Sequence, residues 1–354
     1  MSAKTNRGNF FENFHVGQRI VHATPRTITE GDVALHTALY GSRFALHSSC
    51  EFARSLGFPR APIDDLLAFH LVFGKTVPDI SMNAIANLGY AAGTFGKPVY
   101  PGDTISTTSS IIGLKPNRDG QTGVVYVRST GVNQRDEMVL DYCRWVMVKK
   151  DDPDAMPPET LIPELPEFVN PDQFVLPEGI SLARYDCVRA GGPHFWEDYN
   201  AGEKIDHVDG MTIEEAEHMM ATRLCQNTAR VHFNQHAEKD GRFGRRIVYG
   251  GHVISLARSL SFNGLPNAFR IASINGGRHV APAFAGDTIY AWSEILGKML
   301  LPSRSDVAAT RLRTVATKDH VCDEFPYKSA DGKYANSVVL DFDYTVLMPK
   351  RTNF

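Results

Sequence analysis

The chain repeats itself, and this limits what it can fold into more than any other feature does. Slid along by 185 residues, positions 9–47 lie on positions 194–232 without a gap, with eleven identities in 39 positions. Phe10, Glu12 and Gly17 meet Phe195, Glu197 and Gly202. Ile20, His22, Thr27, Ile28 and Glu30 meet Ile205, His207, Thr212, Ile213 and Glu215, and Thr37, Leu39 and His47 meet Thr222, Leu224 and His232. Further on, Pro98–Ile105 matches Pro282–Ile289 at an offset of 184, and Val139–Tyr142 matches Val339–Phe342 at an offset of 200. The second copy therefore carries a polar insertion near Cys322–Asn336, which reads as a loop. Two copies of one domain also suit a length of 354 residues. Residues 151–193 separate them and hold eight of the 20 prolines. Proline fixes φ and removes a backbone donor, so this stretch reads as a linker, with Leu161, Leu165, Phe168, Phe174 and Leu176 to pack on the domains. The division is residues 1–150, the linker 151–193, and residues 194–354.

Within each copy the pattern is α+β. Thr29-x-x-Asp32 opens a helix over Thr29–Leu39 and Thr212-x-x-Glu215 opens its counterpart over Thr212–Leu224, both as capping boxes. A second helix, Asp65–Phe73 or Gly250–Leu260, is apolar nearly all round in the first copy and so is expected to be buried. Segments 105–112, 123–129 and 138–148, with 288–296, 307–317 and 337–347, alternate with strand period between short polar turns. They predict a curved antiparallel sheet around that helix.

Composition excludes several classes. The net charge is −3, against a general nucleic-acid binder. No run approaches the length of apolar sequence that a membrane helix needs, and Met1–Asn9 lacks the apolar core of a signal peptide. The five cysteines are scattered without a C-x-x-C pair, so no disulfide framework or zinc site is expected, and a reduced cytoplasmic compartment fits. Dinucleotide, phosphate-loop, G-x-S-x-G and H-E-x-x-H motifs are all missing.

The copies differ where chemistry would lie. The second reads Asn227-Thr-Ala-Arg-Val-His232, then Ile247-Val-Tyr-Gly-Gly-His252. The first reads Ser42-Arg-Phe-Ala-Leu-His47, then Pro62-Ile-Asp-Asp65. The first turn of a helix carries unpaired N–H groups and partial positive charge. Asp64 or Asp65 can cap that turn in the first copy. Gly250 and Gly251 cannot, which leaves an oxyanion hole that a ligand can approach because the Cβ atoms are missing. His232 supplies proton transfer, Asn227 orients a water and Arg230 holds a carboxylate. The bland readings are a structural histidine, a Gly-Gly turn and a surface arginine. His47 and His252 read as structural, and Asp103 and Asp287 as closing turns.

These residues resemble the MaoC-like (R)-specific enoyl-CoA hydratases of the hot-dog fold, whose motif is G-D-x-N-P-x-H followed by an I-V-H-G-type turn. Asn227 falls on the motif's aspartate, His232 on its histidine, Gln226 on its glycine and Arg230 on its proline. The resemblance implies a tandem (double) hot-dog with the chemistry in the second copy and a degenerate site in the first. It implies His232, Asn227 and Gly250 as catalytic residues, with Arg230, Gly251 and Arg245 contacting substrate. The runs 226–234, 241–252 and 339–349 are most similar to the branch acting on mesaconyl-CoA, the β-methylmalyl-CoA dehydratases. The implied activity is reversible hydration of that acyl-CoA thioester, with no cofactor or metal, CoA being part of the substrate. Asparagine in place of the acid spares a dicarboxylic substrate a like charge, and Arg230 can pair with its carboxylate. Glu217, Glu238 and Asp240 are the carboxylates that could replace the lost acid. The rival expectations are a hot-dog thioesterase and a non-catalytic acyl-CoA-binding subunit. No nucleic-acid or membrane partner is expected, and a homodimer of such chains is compatible with the fold.

Overall fold

In a computed structural model, which describes residues 4–302 and 304–351, ten antiparallel strands form one sheet. They are β1 (Arg19–Thr27), β2 (Ala84–Phe95), β3 (Thr104–Pro116), β4 (Thr122–Val132) and β5 (Met138–Lys149), then β6 (Lys204–Thr212), β7 (Arg270–His279), β8 (Thr288–Leu300), β9 (Val307–Lys318) and β10 (Val338–Pro349). Their order is β1-β3-β4-β5-β2-β7-β10-β9-β8-β6. The second half runs as the first in reverse, so the copies meet back to back at a seam between β2 and β7. There Tyr90 faces Gly277 and Ala91 faces Gly276. The seam needs small residues: a Cβ on Gly93 would lie 2.9 Å from the Ile274 Cβ, and one on Gly277 would lie 2.8 Å from the Tyr90 ring. The stretch Asn275–Arg278 is thus strand at the join.

The central helices are Asp65–Thr76, all twelve residues of it buried, and Gly250–Leu260, buried from Gly251 onward. Each packs on strands of its own copy, and one apolar core joins them, from Leu66, Phe69 and Phe73 to Val253, Leu256 and Leu260. The two copies share the α+β hot-dog arrangement of a sheet curled on a buried helix.

The flanking helix of the first copy spans Glu30–Tyr40 with Thr29 as its cap and the Thr29/Asp32 box formed. In the second copy the helix is Glu215–Leu224, and the cap is Glu214 with Glu217 rather than Thr212 with Glu215. The repeat explains this correction. Thr29 repeats as Glu214, whereas Thr212 repeats Thr27 at a strand end. The hydroxyls of Thr27 and Thr212 meet those of Thr104 and Thr288 at 2.7 and 2.8 Å. Asp103 and Asp287 do close turns, accepting from the Tyr100 and Phe284 N–H groups at 2.9 Å.

The 151–193 stretch packs in part. Phe174 and Leu176 lie against a second apolar cluster that includes Ile180, Leu182 and Tyr185, and Leu161 bridges to Leu114, while Phe168 is exposed. The insertion of the second copy is a loop whose Phe325, Tyr327 and Tyr334 cover Trp292. Among the described residues no helix is long and apolar enough to cross a membrane.

One close approach positions the site. A Cβ on Gly74, near the end of the first central helix, would stand 1.7 Å from the Cys225 carbonyl oxygen and 3.5 Å from the Asn227 nitrogen. Glycine here lets the first copy dock against the loop before His232. Gly74→Ala is expected to cost about 1–3 kcal/mol of stability, the usual range for overpacking, which denaturant unfolding would measure.

Candidate active site

His232 sits on the short helix Arg230–Phe233, which is sewn to the segment entering the second central helix. The Ile247 N–H donates to the Val231 carbonyl at 3.0 Å, and His232 Nδ1 donates to the Ile247 carbonyl at 3.0 Å. A carbonyl only accepts, so Nδ1 carries the hydrogen and Nε2 keeps its lone pair. Burial pushes the His232 pKa down to about 4, the Ile247 carbonyl opposing this and His218 adding to it. At neutral pH the ring is a neutral base with a fixed tautomer.

Asn227 is buried on the loop before that helix. Its Oδ1 accepts from the Ala229 N–H at 3.0 Å, which turns Nδ2 outward as a donor. Asn227, Gln226, Thr228 and Phe233 line a cavity of about 550 Å³, whose opposite wall is Gly74, Lys75 and Pro78 of the first copy. His232 and Gly250 are not among its lining residues; Asn227 connects that cavity to the histidine's helix. Glu217, Glu238 and Asp240 do not line it either.

The turn into the second central helix has no side-chain cap, and the Gly250 and Gly251 N–H groups donate to no acceptor among the described residues. The expected reason for the glycines is overturned, however. The space beside the Gly250 Cα is taken by the His279 ring, 2.4 Å from where a Cβ would stand, and that beside Gly251 by Tyr249 and His70, at 2.5 and 2.7 Å. The protein's own rings need the missing Cβ atoms, and what the turn leaves free is its N–H groups. Tyr249 also lies against His232, with ring centroids 5.7 Å apart, and its hydroxyl meets His70 Nδ1 at 3.3 Å. His279 contacts the Tyr90 hydroxyl at 3.1 Å across the seam. Burial and then His232 push the His279 pKa down to about 4. His70 and His279 escaped the sequence reading because they reach the site through the fold, from two separate elements, while Tyr249 stands in the turn itself, where sequence alone assigns it no role.

The first copy shows the same frame filled in. His47 Nδ1 meets the Pro62 carbonyl at 3.3 Å, as His232 meets Ile247. Asp64 caps its helix by accepting from the Leu66 N–H at 2.9 Å. Asp65, which repeats as Gly250, lies 3.6 Å from His47 Nε2 and accepts from the Ile271 N–H at 2.8 Å. Burial lowers the His47 pKa, but the hydrogen bond and charge of Asp65 outweigh it and the net shift is upward.

Two expected substrate contacts lie apart from Asn227 and His232. Arg230 is exposed and lines a different cavity with Asn6, Arg7 and Asn83. Two residues along a helix point to opposite sides, so Arg230 faces away from His232. Arg245 is exposed, its guanidinium 3.9 Å from the centre of the Phe284 ring.

The chain matches the family model for mesaconyl-CoA hydratase over residues 2–329. It is 70% identical over 351 residues to the β-methylmalyl-CoA dehydratase of Chloroflexus aurantiacus, covering 99% of this chain and 100% of that one. It is 57% identical over 347 residues to the mesaconyl-CoA hydratase of Cereibacter sphaeroides, covering 98% and 100%. A crystal structure of a MaoC domain protein dehydratase from Chloroflexus aurantiacus superposes with a TM-score of 0.97 at 70% identity, covering 99% of this chain and 100% of that one. A double hot-dog protein of Mycobacterium tuberculosis superposes with a TM-score of 0.72 at 24% identity, over 96% and 98%, a likeness of fold alone.

Proposed function

Since the chain belongs to the mesaconyl-CoA hydratase family, we propose that it interconverts β-methylmalyl-CoA and mesaconyl-CoA plus water as a hydro-lyase, with His232 as its acid–base group. The observation that carries this assignment is the contrast between copies. Both histidines are held through Nδ1 by a backbone carbonyl, but Nε2 of His47 faces the Asp65 carboxylate, whereas the second copy has Gly250 at that position.

In the hydration direction the thioester oxygen lies at the Gly250 and Gly251 N–H groups. His232 Nε2 takes a proton from a water held by the Asn227 amide. The water oxygen bonds to the β-carbon, and the electron pair of the double bond moves to the thioester oxygen as an enolate. The helix N-terminus holds that charge, where preorganised donors are worth most. The imidazolium then returns its proton to the α-carbon, which makes the addition syn, and dehydration runs the same steps backward. The thioester stabilises the carbanionic character, so proton transfer and fixed donors complete the reaction without a cofactor.

The test follows enoyl-thioester absorbance and free thiol together on mesaconyl-CoA. Loss of absorbance without thiol is the expected result; thiol release would make the protein a thioesterase, and silence in both channels would leave a binding role. The missing acid gives a further expectation. Asn227→Asp places a negative charge beside a substrate whose carboxylate is bonded to the β-carbon. A like charge near contact costs about 1–4 kcal/mol, so kcat/KM for mesaconyl-CoA should fall at least about 5-fold, and up to about 900-fold, more than for crotonyl-CoA. Equal losses on the two thioesters would count against this account of the asparagine.

A further inference from the structure

We propose that Lys75, supplied by the first copy, is the specificity-determining cation that binds the free carboxylate of the substrate. This rests on the hydratase reading and extends it to a residue outside the motif. Lys75 is the penultimate residue of the first central helix and is 6% exposed. The Gly74 contact with the Cys225 carbonyl brings it to the loop of the second copy, where its Nζ donates to Gln226 Oε1. Gln226 occupies the left-handed region with a φ of 52°, at the position where the family motif has glycine.

Among the described residues no carboxylate lies within ion-pair distance of Lys75, and its only hydrogen-bond partner is a neutral amide. A buried cation without an anion is costly and is retained where something supplies the anion. Burial first, and then Arg26, hold the ammonium below its usual pKa, a shift that a bound anion would oppose. The cavity beside it is lined by two cations, Lys75 and Arg223, and by no aspartate or glutamate. Thr228 Oγ1, also on its wall, is buried without a hydrogen-bond partner. Position 75 repeats as Leu260, which is buried in the apolar core, so the cation stands only in the copy that faces the Asn227 loop.

Two anionic groups of the substrate share this chemistry, its acyl carboxylate and the phosphates of CoA. Asn227 decides between them. The carboxylate is bonded to the carbon that takes the water, so it lies beside the residue that holds the water. The phosphates are a pantetheine arm away. Arg230, the carboxylate partner expected from the sequence, lines another cavity.

Lys75→Met and Lys75→Arg, each checked by thermal melting, are compared with the wild type on mesaconyl-CoA and on crotonyl-CoA, the latter followed as substrate or as competitive inhibitor. Lys75→Met should reduce kcat/KM for mesaconyl-CoA by about 30-fold or more relative to the change for crotonyl-CoA, the usual effect of removing one partner of a buried charged hydrogen bond. Lys75→Arg should recover part of the loss. Gln226→Glu keeps the lysine but gives it a competing carboxylate, and should impair mesaconyl-CoA selectively even if Lys75→Met does not fold. Equal losses on both thioesters would assign Lys75 to the CoA phosphates or to structure and overturn the proposal, as would unchanged kinetics on both. A wild-type protein inert toward mesaconyl-CoA would instead overturn the hydratase reading on which the proposal rests.

Discussion

Replacing His232 by alanine should lower kcat for mesaconyl-CoA hydration by about 10²–10⁴-fold while the protein stays folded. That is the usual contribution of a positioned acid–base group. The loss is expected at the top of that range, because the Asn227 amide turns a donor outward and cannot take the proton in place of the imidazole. The internal control is His47→Ala. His47 has the same backbone lock, but its Nε2 faces Asp65. Its removal should leave kcat near wild type and lower stability instead, by roughly 1–3 kcal/mol, the cost of a lost buried hydrogen-bond partner, since Arg270 still faces the Asp65 carboxylate at 3.6 Å. Rapid-mixing kinetics beside denaturant unfolding separates the outcomes. Near-wild-type turnover by His232→Ala, or loss of turnover by a fully folded His47→Ala, would place the chemistry elsewhere.

Acid should inactivate the protein by unfolding it before His232 titrates. His70, His207 and His252 are each 0% exposed, and burial, the largest cause for all three, lowers their pKa values to about 3, about 4 and about 3. In the unfolded chain they take up protons near 6.5. Below that pH the unfolded state binds more protons, so stability falls as pH falls. Each histidine contributes about 1.4 kcal/mol per pH unit, about 4 kcal/mol per unit for the three. His36 and His218 are shifted in the same direction by burial. His47, with a raised pKa, works the other way: its contribution is complete below the unfolded value and is lost as pH rises. Against a stability of about 6–10 kcal/mol, within the usual range for a folded protein, unfolding is expected at about pH 4–5. Tryptophan fluorescence and activity followed down the same pH series should fall together. Loss of activity with the tertiary signal intact would show that His232 itself sets the acid limit.

The duplication was plain in the sequence because it is written in identities such as His22/His207 and Glu30/Glu215. Strands β3, β4 and β5 were legible because they alternate between faces, whereas the edge strands β1 and β6 were not named from the sequence. The seam was not legible either. β2 is rich in alanine and glycine, which weakens its strand pattern, and it is small because it packs against β7. The site shows the same division. His232, Asn227 and the uncapped turn could be found from motif and helix chemistry. Arg230 could not be aimed from spacing alone, since the direction of a residue in a four-residue helix depends on where that helix docks. Lys75 was hidden within a helix that reads as apolar. Its signal was the single charge near the end of an otherwise buried run, beside a glycine whose reason lies far along the chain at the Cys225 carbonyl.

The seam between β2 and β7 has one more consequence. Two identical subunits joined at such an edge would write every substitution twice, so a lysine placed to serve one site would also appear at position 260 and break the apolar core there. Joining the halves in one polypeptide cancels that obligation. One half is free to close its own cleft with Asp65 and lend Lys75 to the other, and the pair gains a division of labour that no symmetric dimer can encode.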